Sequence, residues 1–204
     1  LDKPELQFAS AFLGGAALQQ AARLLTPYER LTALPEGITG EVIDGQLHTQ
    51  PRSGAPHVRA GMMLTLRIGR GYDQGEGGPG GWWILPEPEL HFVRDTEVLV
   101  PDLAGWRRER MVVLPHDHRF EVVPDWICEI LSPSSASKDR EIKMPIYASR
   151  RVAYAWIVDP VARTLEVYCL RDGWWAPAGS FNGNASVVCP PFEEMRLSLS
   201  DLWV

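Results

Sequence analysis

The chain has 204 residues, 45% apolar and 23% charged, which is enough for a core without disulfide or metal staples and excludes a disordered, collagen-like or coiled-coil chain. Its formal charge of −6 counts against electrostatic DNA binding as the main task. It does not count against a nuclease, because bound cations and local arginine clusters offset acids. Three cysteines, Cys128, Cys169 and Cys189, with no CxxC pair, argue against a disulfide framework or zinc site and point to a reducing, cytoplasmic setting. Residues 1–26 read as an Ala-rich helical lead-in with too many polar residues for a membrane span or a signal peptide. Thr26 suits the N-cap of a short helix with Pro27 in its first turn. The acidic-apolar stretch 41–47 predicts two short strands around Asp44-Gly45. Val58, Met62, Leu66 and Ile68 suit a helix over 57–70. Six glycines in 71–81 predict a flexible loop without a phosphate-loop ending.

Trp82–Leu85 reads as a strand. Residues 90–93 and 96–100 flank Arg94-Asp95 as a tight hairpin. A two-residue loop there pairs Val93 with Thr96, so that paired numbers sum to 189, and the period-two alternation then puts Glu87, Glu89, His91 and Asp102 on one face. Residues 126–131 form a short apolar run suited to a buried strand, and 138–149 a helix that Pro145 must start or kink. Residues 153–158, 164–168 and 173–177 continue as strands. The tail 190–204 holds a short helix or turn. A strand–helix–strand unit beside hairpins predicts a mixed α/β sheet.

The chemistry concentrates in 87–143. Acids clustered on a strand face are costly unless solvated, protonated or bound to a cation. Glu129 lies inside the apolar run, where a carboxylate needs a partner. Asp102 with Glu129 would suffice for Mg²⁺, which takes one or two carboxylates and keeps waters. Each also has a plainer reading: Glu87 and Glu89 as solvated edge residues, Glu129 at a strand end, Asp102 opening a turn. His116 and His118 read as a surface loop, Arg107, Arg108 and Arg110 as a solvated face, and Trp82, Trp83, Trp174 and Trp175 as packing groups. Cys128, next to Glu129, should point to the other face of the strand.

GEVIDGQL, the PH pair at 56–57, LPEPELHF, VPDLAGW, PDWICEILSPSS, DREIKMPIY and AYAWIVDP occur in that order. Together they resemble the Uma-two family, described as bacterial endonucleases of the PD-(D/E)XK nuclease superfamily, over about residues 26–204. The resemblance implies a restriction-endonuclease-like α/β fold, a central mixed sheet flanked by helices, over 27–204. It also implies a metal-dependent endonuclease acting on DNA. Asp102 matches the Asp of the PD element and Glu129 the second acid, which with the Ile130 carbonyl would hold Mg²⁺ or Mn²⁺. The usual lysine two residues on is absent, because that position is Leu131. The family pattern points instead to Lys143 on the following helix, with Lys138 as its rival. Glu41 matches an early acidic element that helps complete the site, His57 matches a histidine opening the next helix, and Glu89 is a possible support. Nuclease architecture implies a homodimer. Two alternatives remain: a catalytically inactive nucleic-acid- or protein-binding module with the same fold, and an enzyme acting on RNA or a small phosphodiester.

Overall fold

The structure, a computed structural model, describes residues 24–204. The lead-in helix expected over 1–26 therefore lies outside the described residues, apart from 24–26. Thr26 opens helix α1 (Pro27–Thr32): its Oγ1 accepts the Glu29 N–H at 3.1 Å and the Glu29 carboxylate accepts the Thr26 N–H at 2.8 Å. This reciprocal cap satisfies two otherwise orphaned donors. Strands β1 (Thr39–Ile43) and β2 (Gln46–Gln50) follow. Asp44 and Gly45 between them have φ of 50° and 69°, the two positive values that a tight hairpin turn requires.

Helix α2 (Ala55–Ile68) starts two residues earlier than expected and ends in a π-turn (Gly69–Asp73). The glycine-rich segment behind it folds back on itself. A Cβ at Gly78 would lie 2.6 Å from the Gly71 carbonyl oxygen, so only glycine fits there. Strands β3 (Trp82–Pro86), β4 (Glu89–Val93), β5 (Glu97–Leu99), β6 (Leu103–Arg107), β7 (Arg119–Phe120) and β8 (Trp126–Ile130) come next. The helical segment after β8 has three parts: α3 (Ala136–Lys138), a π-turn (Asp139–Lys143) and α4 (Met144–Ser149). The break has a local cause. Pro145 has no N–H and its ring collides with the carbonyl one turn back, and a widened turn before it relieves both. Strands β9 (Tyr154–Asp159), β10 (Thr164–Arg171), β11 (Trp174–Asn182), β12 (Ser186–Val187) and β13 (Leu197–Ser198) and a 3₁₀ turn (Leu199–Asp201) complete the chain.

The expected single central sheet is two sheets. One has six strands in the order β11-β10-β9-β8-β6-β3, with β8 and β9 parallel; the other has five in the order β2-β1-β5-β4-β7. A small β12-β13 ribbon stands apart from both. At the turn a bulge shifts the expected register, so Val93 pairs with Glu97 and the loop has three residues instead of two; beyond it the expected register holds and explains the split. Leu90 pairs with Leu99 and His91 with Val98, and the same sum of 189 continues through the Glu87 N–H to the Asp102 carbonyl and on to Pro86 with Leu103. One long hairpin thus runs through both sheets. It crosses between them at Glu87, whose φ of 47° is in the left-handed region, and at Pro101-Asp102. The crossing breaks the alternation, so Glu87, Glu89, His91 and Asp102 do not form one face.

Helices cover both faces of the six-stranded sheet. Trp126, Cys128 and Ile130 of β8 pack with Ala60, Leu64 and Ile68 of α2. Ile127 of the same strand packs with Met144 and Tyr147 of α4. Cys128 therefore faces away from Glu129, as expected. Phe192 sits edge-on to Tyr72, Trp82, Trp126 and Trp156 at the centre of the first cluster. Among the described residues no helix is long and apolar enough to cross a membrane.

Candidate active site

The site forms where strand pairing stops. The β6–β8 ladder ends at Leu103 opposite Cys128, so the Ile130 N–H on that side has no strand partner. Asp102 supplies one: its Oδ2 accepts the Ile130 N–H at 2.6 Å. Its Oδ1 lies 3.0 Å from His57 Nε2 at the start of α2. Burial works against charge on His57, but the Asp102 carboxylate outweighs it, and the His57 pKa is raised.

On the face of β8 opposite Cys128, Glu129 is buried and points at the helix, where it lines the same small pocket as Asp102 and His57. Lys143 Nζ lies 2.9 Å from Glu129 Oε1, and Tyr147 OH donates to the same oxygen at 2.6 Å. Lys143 also reaches Glu41 Oε1 at 2.8 Å and the Val100 carbonyl at 2.9 Å, with Asp139 at 3.8 Å. Glu41 is a bridge. Its Oε2 takes Lys138 at 2.6 Å, and its Oε1 also accepts the Val100 N–H at 2.9 Å. Glu41 comes from β1 in the five-stranded sheet and Glu129 from the six-stranded sheet, so Lys143 joins the two.

The charges do not balance. Glu41, Asp102, Glu129 and Asp139 face Lys138, Lys143 and His57, so with every group ionised one negative charge would be in excess. Burial pushes the Glu129 carboxyl well above its usual range, opposed by Lys143 and reinforced by Asp139, Asp102 and Glu41. Burial also opposes the Lys143 ammonium, but Glu129, Glu41 and Asp139 overcome it and its pKa is raised. Glu41 is desolvated too, yet the two lysines hold its carboxyl below the usual range.

Six of the seven residues named from sequence, Asp102, Glu129, Ile130, Lys143, Glu41 and His57, therefore converge, with Lys138 alongside. Glu89 does not. Its Oε1 accepts from Tyr28 OH at 2.7 Å and lies 2.9 Å from His91 Nε2, in a separate cavity. Among the described residues no three His, Cys, Asp or Glu side chains converge as a ready-made metal cage.

A family model described as "Uma2: Putative restriction endonuclease" matches residues 25–200. The chain belongs to the Uma2 family. The fold is similar to that of a crystal structure titled as a "putative nuclease belonging to DUF820" from Anabaena variabilis. The TM-score is 0.68 at 23% identity, over 87% of this chain and 97% of that one. No curated protein matches the chain.

The sequence reading missed two residues of this Uma2 site, Tyr147 and Asp139. A signal for both was present. Asp139, Lys143 and Tyr147 are spaced by four, which puts them on one helical face. Tyr147 is also a core residue, so its burial conceals its second role.

Proposed function

We propose that this Uma2 protein is a metal-dependent endonuclease that hydrolyses DNA phosphodiester bonds at the Asp102–Glu129–Lys143 site. The observation that carries the reading is Lys143: the helix after β8 folds back and brings Nζ to 2.9 Å from Glu129, restoring a lysine that the strand itself lacks. The donor set also fits a hard cation. Asp102 and Glu129 are carboxylates, and among the described residues the side-chain bonds to the Glu129 carboxylate both fall on Oε1. The Ile130 carbonyl lies on the same strand edge as its N–H, the edge that Asp102 occupies. Two carboxylates, a carbonyl and retained waters make an ordinary Mg²⁺ or Mn²⁺ site.

When bound, such a cation would supply Lewis acidity at the phosphate and acidify a water. The protein's own groups do the rest. Lys143 stays charged in a buried setting, where it orients the attacking water or offsets charge developing on the phosphate. Glu41 holds both lysines in place. His57 fixes one oxygen of Asp102, while the Ile130 N–H fixes the other. No nucleophilic side chain is required. Homodimerisation belongs to the same reading as an expectation of nuclease architecture.

A binding module that kept the fold without hydrolysis is the second reading. It is favoured by one observation: both Asp102 oxygens already have protein partners. Cleavage of supercoiled plasmid in Mg²⁺ or Mn²⁺ separates the two. The parent is expected to nick, and Asp102→Ala and Lys143→Ala to lose nicking. If only Asp102→Ala fails, the lysine assignment is wrong. No cleavage by the parent on duplex, single-stranded or RNA substrates puts the binding module first.

A further inference from the structure

Glu89 belongs to a different feature from the metal site. It lines a cavity of about 470 Å³ between α1 with its following loop and the β3–β4 crossing. The walls are mainly apolar, with Leu31, Leu34, Pro86 and Phe120 among them. The polar end is a fixed relay. His118 Nε2 lies 2.9 Å from Tyr28 OH, and Tyr28 OH donates to Glu89 Oε1. His91, fully buried, accepts the Asp95 N–H at Nδ1, which puts its proton on Nε2, 2.9 Å from the same Glu89 oxygen. Both donors thus fall on Oε1 and lock the carboxylate's orientation. Among the described residues Oε2 takes no hydrogen bond, and the Glu89 side chain is 21% exposed.

The cavity adjoins the site described above. Val100 lines both, and its carbonyl accepts from Lys143. We infer that this cavity holds one unpaired nucleobase bearing an exocyclic amino group, next to the scissile phosphate, with Glu89 accepting its N–H.

The size suits one base and its sugar and not a base pair, so the base must leave its stack, as in other enzymes that read an extruded base. Apolar walls suit its faces. A carboxylate is an acceptor only, and it matches the amino group of cytosine, as carboxylates do in direct readout. Uracil and thymine present a single ring N–H between two carbonyl oxygens, which the same carboxylate repels. The inference rests on the hydrolytic reading for the nature of the strand, but its test does not require cleavage.

The test is anisotropy of labelled 12-residue oligonucleotides, dC against dU, in EDTA. These two bases are equal in size and differ at the amino group. The parent is expected to bind dC at least tenfold more tightly. Glu89→Gln should bring the ratio below threefold. Because Glu89→Gln also disturbs Tyr28 and His91, Ile38→Trp provides a second variant. Ile38 lines the cavity, is 43% exposed and lies outside the relay. It should weaken dC binding and leave dU binding unchanged. Equal binding of dC and dU by the parent, no binding of either, or a ratio that survives both variants overturns the inference. Base preference without plasmid cleavage sinks the hydrolase and keeps the cavity; cleavage without preference does the reverse.

Discussion

Tyr147 carries a role that its size conceals. Its hydroxyl and Lys143 both bind Glu129 Oε1, so the two oxygens of that carboxylate are not equivalent. Tyr147→Phe removes one hydrogen bond without changing the packing. The fold should lose about 1 kcal/mol, the usual net worth of such a bond, measured by urea unfolding. Plasmid nicking should fall on the order of tenfold or more, as when a partner supporting a metal ligand is lost. Unchanged nicking would show that Tyr147 acts only as core. A second residue-scale prediction lies away from the site. Arg140 makes two bonds to Glu166, at 3.0 and 2.5 Å, and holds the Glu166 carboxyl below its ordinary value of 4.5. A lowered carboxylate pKa stabilises the fold above the unfolded value, and that contribution disappears as pH falls through the folded one. Melting temperatures of the parent and Glu166→Gln should therefore differ at pH 6, and the gap should shrink as the pH is lowered below 4.5. A constant gap across that range would contradict the linkage.

The helix after β8 is the element on which the site depends. Its π-turn at Asp139–Lys143 sits immediately before Pro145. Replacing the proline restores a backbone donor and removes the steric reason for the wide turn. Pro145→Ala should leave the melting temperature close to the parent's, because Pro145 sits in the first turn of α4, where a proline is tolerated. It should also reduce nicking, because closing the turn rotates Lys143 away from Glu129 and Glu41. A variant with full activity and an unchanged fold would mean that the turn is set by tertiary contacts. Parts of this element were readable in the sequence: a helix over 138–149 with trouble at Pro145, and Lys143 as the candidate. The widened turn was not, since a sequence shows only that a regular turn is obstructed and not how the chain relieves it. The same holds for β6, which was not expected as a strand. Leu103–Arg107 is a short segment buried on both faces, without the alternation that marks a half-exposed strand.

At the scale of the molecule, Phe192 is the point where the tail meets the six-stranded sheet. Its ring touches Tyr72, Trp82, Trp126 and Trp156, yet nothing near it in sequence marks it as core. Phe192→Ala leaves a void among large rigid rings that cannot close it. A loss of about 3–5 kcal/mol is expected, read from chemical unfolding. A loss under about 1 kcal/mol would show that the tail does not hold the sheet. Light scattering of the parent tests the expected homodimer at this scale.

The local sequence alone settled what local chemistry can settle. The Thr26 cap, the Asp44-Gly45 turn, the buried strand over Trp126–Ile130 and the hairpin register from Leu90 to Val98 follow from backbone sterics and from the alternation of side chains across a strand. The ordered motifs also carried the resemblance to Uma2 and the residues Asp102, Glu129, Lys143, Glu41 and His57. Only the tertiary structure decided that the hairpin divides between two sheets. That division takes Glu89 out of the acidic cluster and gives it a cavity of its own. It also decided that Lys143 sits between acids from both sheets, together with Tyr147 and Asp139. The reason is physical. A register follows from pairing neighbours, but where a strand changes sheets and where a helix lands depend on packing between segments far apart in the chain, such as Glu41 with Lys138 and Lys143.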